Sequence, residues 1–197
     1  MDYLQLVNKE NRLHKNYKPK NLVEIEPRVK GSIDPNRKIL VEKKVFDCWL
    51  LLKSDAKKYG FDFDISSGYR SYRYQEEVLR HYIKEEGVEE ALTHVAPPGA
   101  SEHQTGLAID YFYVRGNEYC YDVKELDPEF VWLKEHAHQY GFIIRYPKEK
   151  EEITGYIYEP WHLRYVGNDA RYMHDHNLTL EEYQELIKEE CYVKKIN

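Results

Sequence analysis

An α+β domain, a small antiparallel or mixed sheet flanked by helices, is the architecture the sequence predicts, and three observations predict it. Stretches with apolar residues at helical spacing are interspersed with short strand-like runs. Glycine and proline punctuate the boundaries, at Gly60, Ala96-Pro97-Pro98-Gly99 and Gly141. The 197 residues are enough to enclose one core, and no internal repeat or low-complexity segment divides them, so 1–197 reads as a single domain.

The first 35 residues carry Pro19, Pro27, Gly31 and Pro35 and little periodicity, which predicts an extended arm laid over the domain. From Ile39 to Tyr59 the apolar residues Val45, Trp49, Leu52 and Ala56 recur at helical spacing and Gly60 stops the run, so a helix is expected there. FDFDISSGYRS follows as a strand entering a loop at Ser66-Ser67-Gly68. Gln75, Val78, Leu79 and Tyr82 then place a second helix over Tyr72 to Glu86. Beyond the Pro-Pro-Gly breaker, Gly106-Leu107-Ala108-Ile109-Asp110-Tyr111-Phe112 reads as a core strand with a carboxylate in its middle. A helix from about Pro128 to Tyr140 closes at Gly141, FIIRY is a further strand, and YIYEPWHLRYVG supplies at least one more. Thr179-Leu180-Glu181-Glu182 has the cap-then-acid pattern that starts a last helix.

Composition excludes several functions. With 29 Lys and Arg against 35 Asp and Glu, the net charge of -6 is the wrong sign for an electrostatic nucleic-acid binder. No run approaches the roughly 20 apolar residues a bilayer span needs. The opening MDYLQLVNKENRLHKNYKPK is charged throughout and lacks the apolar stretch of a secretory signal, so a cytoplasmic location is expected. Cys48, Cys120 and Cys191 are far apart and never in a CxxC pair, which points to buried free thiols rather than a disulfide framework. The 19 tyrosines point to amphipathic walls of clefts without identifying a ligand.

Asp110 is the residue that needs explaining. A buried carboxylate is matched by a cation, by several donors or by a metal. His103 and Asp110 from one segment and His162 from another are candidates for zinc, which takes nitrogen and oxygen ligands and, in catalysis, leaves a position open. On a strand beginning at His162, the side chains of His162, Arg164 and Val166 share one face and Leu163 and Tyr165 the other. Glu159 precedes Pro160 and is thereby pushed out of helical geometry, so a helical HExxH site is not in use. Glu-Pro-Trp-His reads instead as a four-residue turn with proline second, bringing Glu159 near His162 as a candidate general base. Arg70, in the loop after the FDFDISS strand, suits a substrate carboxylate or a carbonyl gaining charge. Gln75, one helical turn on, and Ser101 complete a polar pocket. Each has an ordinary alternative: Asp110 salted by an arginine, Glu159 capping a turn. The remaining histidines, His14, His81, His94, His136, His138, His174 and His176, read as surface or packing residues.

Together SSGYRSYRYQ, SEHQTGLAID and EPWHLRYVG, spanning Ser66 to Gly167, resemble the zinc D,D-carboxypeptidases of the VanY family, which trim the D-alanyl-D-alanine end of peptidoglycan precursors. LQLVNKENRL and GFIIRYPKEKEEITGYIYEPWH look particularly like the soluble VanXY-type enzymes of vancomycin resistance, which combine D,D-dipeptidase and D,D-carboxypeptidase activity. The resemblance implies a D-Ala-D-Ala-peptidase fold, shared with the Hedgehog signalling domain, and one Zn2+ per chain on His103, Asp110 and His162. It implies Glu159 as catalytic base and Arg70 at the oxyanion or substrate end. It also implies Gln75 and Ser101 at the terminal D-alanine, with Tyr69 and Trp161, inside the same motifs, among the substrate contacts. A stem peptide or D-Ala-D-Ala is then the partner, and depletion of such precursors, hence glycopeptide resistance, is the expected role. The sequence sets no oligomeric state. An L,D-carboxypeptidase, a peptidoglycan endopeptidase and a Hedgehog-like zinc-containing binding module are the alternatives, and the polar segment from Tyr146 to Tyr158 is where a loop selecting among peptide ends is expected.

Overall fold

In the computed structural model, which describes residues 2–26 and 38–196, with 190 and 193–196 described by backbone alone, a two-stranded antiparallel ribbon precedes the first helix. Its strands are β1 (Leu22–Ile25) and β2 (Ile39–Glu42), registered Leu22↔Glu42 through Ile25↔Ile39. Ile39–Glu42 was expected to be helical. The β-branched and aliphatic Ile-Leu-Val run takes the strand instead because β1 offers it a partner, and the helix α1 (Lys43–Ala56) starts only where the Glu42 carboxylate accepts from the amides of Lys44 and Val45, at 2.7 and 3.3 Å. Residues 2–21 contain no strand or helix and lie over the domain: Leu13 N–H donates to Gly99 O, and Gln104 Nε2 donates to the carbonyls of His14 and Tyr17. Pro27, Gly31 and Pro35 fall outside the described residues.

The main sheet is antiparallel. Strand β3 (Asp62–Ser67) follows α1, and helices α2 (Tyr72–Glu86) and α3 (Val88–His94) separate it from β4 (Ala108–Arg115) and the short β5 (Glu118–Cys120). Helix α4 (Pro128–His136) leads to β6 (Phe142–Tyr146), α5 (Glu151–Thr154) to β7 (Glu159–Tyr165), and α6 (Ala170–Asp175) to α7 (Leu180–Ile196). The strand order is β3-β4-β7-β6, with β5 pairing β4. The expected span of α2 is found, fixed at its start by Ser71, whose Oγ accepts from Tyr74 N–H at 3.2 Å. The reciprocal Thr179–Glu182 capping box is also present, with Thr179 N–H on Glu182 Oε2 at 2.8 Å and Glu182 N–H on Thr179 Oγ1 at 3.2 Å. Helix α3 and strand β5 carried no clear signal in the sequence.

One face of the sheet is the core. Val45, Cys48, Trp49, Leu52 and Ala56 of α1, and Phe130 and Leu133 of α4, pack on Phe63, Ile65, Ile109, Tyr111, Leu163 and Tyr165. Trp49 sits at the middle, its ring 6.4–6.5 Å from those of Phe63, Tyr111 and Phe142. Each such fully buried side chain contributes about 1.5–3 kcal/mol. Successive strand residues point to opposite faces, so with Ile109 and Tyr111 in the core, Asp110 must face the other side, as must His162 and Arg164 beside Leu163 and Tyr165. A second apolar cluster joins Ile143, Val166, Ala170, Met173 and Leu180. Of the cysteines only Cys48 is buried; Cys120 is half-buried and Cys191 exposed, which corrects the expectation that all three are buried, and all are free thiols. Among the described residues no helix is long and apolar enough to cross a membrane.

Candidate active site

The sheet register brings together what the sequence keeps fifty residues apart. In the β4–β7 pairing Asp110 lies directly opposite His162, and a 3-10 turn over Glu102–Thr105 delivers His103 to the same spot. That turn is closed by Thr105, whose Oγ1 donates to Glu102 O at 2.5 Å and accepts from Leu107 N–H at 2.9 Å. Gly106, at φ 74, reverses the chain into β4 with a conformation other residues rarely adopt.

His103 Nδ1 donates to Gly68 O at 2.7 Å, so its Nε2 carries the free lone pair, 3.3 Å from Asp110 Oδ2. His162 presents Nδ1 to Asp110 Oδ1 at 3.1 Å. The two rings stand edge to face, 4.9 Å apart at 89°. His103 Nε2 and Asp110 Oδ1 are buried with no hydrogen-bond partner. One ligand atom from each of His103, Asp110 and His162 lies within 4.8 Å of the others, and His103 Nε2 and Asp110 Oδ1 have no partner; two imidazoles and a carboxylate are the donor set of a divalent cation such as zinc, so the residues present fit the metal. Burial and the nearby Arg70 push the His103 imidazole down to about 4. Burial also opposes the charge on His162, but Asp110 and Glu102 outweigh it and push the ring up to about 9.

Gly68 was visible in the sequence only as a loop residue. Its ideal Cβ would fall 2.3 Å from Leu40 O, so β2 passes too close for any side chain, and the carbonyl that orients His103 is held there. A residue bearing a Cβ could not stand in this place without displacing backbone.

Glu159 comes to the site by a route different from the expected turn. Residues 159–165 are all strand, so β7 begins three residues before His162. Between the pairs Ile144↔Leu163 and Tyr146↔Glu159, β7 advances four residues while β6 advances two. Pro160, which has no N–H for the ladder, sits in this bulge. The bulge turns Glu159 Oε2 to 3.7 Å from His162 Nδ1. Glu159 is 7% exposed, and burial, reinforced by Asp110 and Glu102 against the pull of His162 and Arg70, pushes its carboxyl up to about 7.

These residues line one cleft, together with Arg70, Gln75, Ser101 and Trp161. The Arg70 amide donates to His103 O, and the guanidinium brings NH2 to 4.0 Å from Asp110 Oδ2 while its buried Nε has no partner. Gln75 Nε2 donates to Ala96 O at 2.8 Å, which leaves Oε1 buried and unpaired. Tyr69 is buried, with its amide tied to Leu40 O, and its neighbour Arg70 lines the cleft. Tyr146 and Tyr156 of the lining fall in the segment from Tyr146 to Tyr158 where a selecting loop is expected, whereas Tyr82 and His94 were not assigned to the site from the sequence. His94 reads in the sequence as a surface or packing histidine, and the abundance of tyrosine is the only signal there for Tyr82. Tyr156 donates to Ala100 O, and Lys9 of the arm lies 4.6 Å over its ring while donating to Gly155 O and Leu92 O.

Among the described residues a second group, His138, His174 and Asp175, also brings three ligand-type atoms together. It differs in kind. The rings stack 3.9 Å apart at 22°, so their in-plane lone pairs run side by side, and Asp175 is paired with Arg171.

The pattern of the VanY family, D-alanyl-D-alanine carboxypeptidase, matches residues 38–168. The chain is 34% identical to the bifunctional D-Ala-D-Ala dipeptidase and D-Ala-D-Ala carboxypeptidase VanXYC of Enterococcus gallinarum, over 95% of this chain and 96% of that protein. Among solved structures it is similar to the LD-carboxypeptidase LdcB, with 43% identity and a TM-score of 0.78 over 93% of this chain and 86% of that one. It is likewise similar to a mutant of the vancomycin-resistance D,D-pentapeptidase VanY in complex with Zn(II), with 30% identity and a TM-score of 0.78 over 93% and 99%.

Proposed function

The chain belongs to the VanY family of D-alanyl-D-alanine carboxypeptidases, and from that premise we propose that it hydrolyses the terminal D-Ala-D-Ala amide of peptidoglycan precursors with one zinc ion held by His103, Asp110 and His162. The observation that carries the reading is the convergence of unpartnered buried donor atoms on one point beside Glu159. A bound zinc ion supplies Lewis-acid polarisation of the scissile carbonyl and of water.

The chain's own residues do the rest. Glu159, its carboxyl pushed up to about 7, is poised to take a proton from the attacking water and return it to the leaving amine. The Arg70 guanidinium, with a free Nε inside the cleft, stabilises the charge that develops on the carbonyl oxygen. Ser101 and Gln75 hold the terminal carboxylate, and Trp161 and Tyr156 line the same cleft. Removal of D-Ala-ended precursors is the route by which the activity would contribute to glycopeptide resistance.

A second reading, L,D-carboxypeptidase, rests on the 43% identity to LdcB, which is comparable to the 41% identity to a D-alanyl-D-alanine carboxypeptidase of Enterococcus faecium. The test is D-amino-acid release by the zinc-loaded protein from D-Ala-D-Ala, from a pentapeptide ending in D-Ala-D-Ala and from an L,D-ended tetrapeptide, with Glu159→Ala as control and zinc content measured. Release from the pentapeptide supports the D,D reading, and release from the dipeptide as well makes the enzyme bifunctional. Release from the tetrapeptide alone replaces it with the L,D reading. No release from any, with zinc bound, points to the non-enzymatic binding module.

A further inference from the structure

Behind His162, away from the cleft, lies an acid that the proposed chemistry does not use. Glu102 is 1% exposed and immediately precedes His103 in the 3-10 turn. Its Oε1 accepts from both Arg145 Nε and Arg164 NH1, each at 2.7 Å. Its Oε2 has no hydrogen-bond partner and points at His162 Nε2, 3.6 Å away, which has none either.

The ordinary explanation is that Glu102 only neutralises two buried arginines. The geometry does not follow that pattern. A carboxylate serving a guanidinium alone takes the fork with both oxygens. Arg145 makes such a pair with Glu181, NH1 to Oε2 at 2.9 Å and NH2 to Oε1 at 2.7 Å. Glu102 crowds both arginines onto one oxygen and leaves the other for the imidazole. The arginines themselves are fixed from outside: Arg164 NH2 donates to the carbonyls of Tyr3 and Gln5 in the N-terminal arm, and Arg145 is clamped by Glu181 of α7.

We propose that Glu102 is the positioning residue of the metal site: its Oε2 takes the Nε2–H of His162, which fixes the ring and aims the Nδ1 lone pair at the point shared with His103 and Asp110. His103 has closer support of the same kind, a hydrogen bond from its Nδ1 to Gly68 O at 2.7 Å. Both histidines are thus oriented through the nitrogen that does not face the metal point, the arrangement by which outer partners raise ligand basicity and set the tautomer. One short turn therefore carries a ligand, His103, and the support of the other ligand, Glu102. The inference rests on the metal reading of the triad.

The test compares the full chain with Glu102→Gln and Glu181→Gln. Zinc affinity is measured by competition with a chromophoric chelator, alongside the thermal midpoint of each protein. Glu181→Gln disturbs the same arginine network without touching His162, so it reports the purely structural effect. The expected result is a roughly 10- to 100-fold loss of zinc affinity for Glu102→Gln and less than about a threefold change for Glu181→Gln at comparable loss of stability. Equal affinities in all three, or equal losses in the two variants, would overturn the role of Glu102. Absence of zinc binding in the unmodified chain would instead refute the metal reading beneath it. Should Glu102→Gln fail to fold, the 1H–15N spectrum of the zinc-loaded parent decides: a downfield, slowly exchanging His162 Nε2–H supports the proposal, and a proton in free exchange with water overturns it.

Discussion

Replacing Glu159 with glutamine should abolish hydrolysis and, in metal-free protein, raise stability at alkaline pH. Burial among Asp110 and Glu102 lifts the Glu159 carboxyl from its ordinary 4.5 to about 7. A carboxyl whose folded value is raised favours folding fully below the unfolded value, and that contribution is lost as pH rises through the folded one. Between about pH 4.5 and 7 the folded protein holds a proton the unfolded chain releases, so stability falls across that window. At about 1.4 kcal/mol per pH unit, the full cost by pH 8 is roughly 3 kcal/mol, against under about 1 kcal/mol at pH 5. Glutamine keeps the shape and removes the charge. In a chain of this size the gain at pH 8 corresponds to a midpoint roughly 6–12 °C higher. The assay is thermal unfolding of chelator-treated parent and Glu159→Gln at pH 5 and pH 8, with zinc-loaded turnover measured in parallel. Equal midpoints for the two proteins at pH 8, or a less stable variant, would refute the reasoning that the site holds a strained acid for chemistry rather than for stability.

Further outcomes follow from the same geometry. Zinc uptake at pH 8 should release about one proton, because the His162 ring, pushed up to about 9, is protonated in the metal-free protein while His103, at about 4, is not; calorimetry in buffers of different ionisation enthalpy measures it, and a buffer-independent heat would count against the assignment. Gly68→Ala should cost about 3 kcal/mol of stability through overpacking and weaken zinc binding, since the new Cβ collides with Leu40 O and displaces the carbonyl on His103; chelator competition and urea unfolding read the two effects separately. Arg70→Ala should lower kcat by roughly 100- to 1000-fold with zinc content unchanged, as steady-state kinetics and metal analysis would show. Thr179→Ala, which removes half of the α7 capping box, should lower stability by about 1 kcal/mol without altering turnover.

Local chemistry determined much of this protein from its sequence alone. Helix α2 begins and ends where its spacing and flanking residues place it, and the Thr179–Glu182 cap forms as its four residues prescribe, because propensity, period and capping act within a few residues of one another. The triad and Glu159 were legible as residue types in motifs. What only the tertiary structure decided was who faces whom. Ile39–Glu42 is a strand because β1 pairs with it, a partner the helical spacing of the following residues conceals. Asp110 meets His162 through the β4–β7 register, and a one-residue slip would turn Asp110 into the core. Glu159 reaches the site through a bulge set by pairing with β6, and Gly68 is required by the passage of β2. Tyr69 is buried beside Arg70 and Glu102 lies behind His162 for the same reason: contacts between residues far apart in sequence depend on how strands register and side chains pack, which no local pattern records.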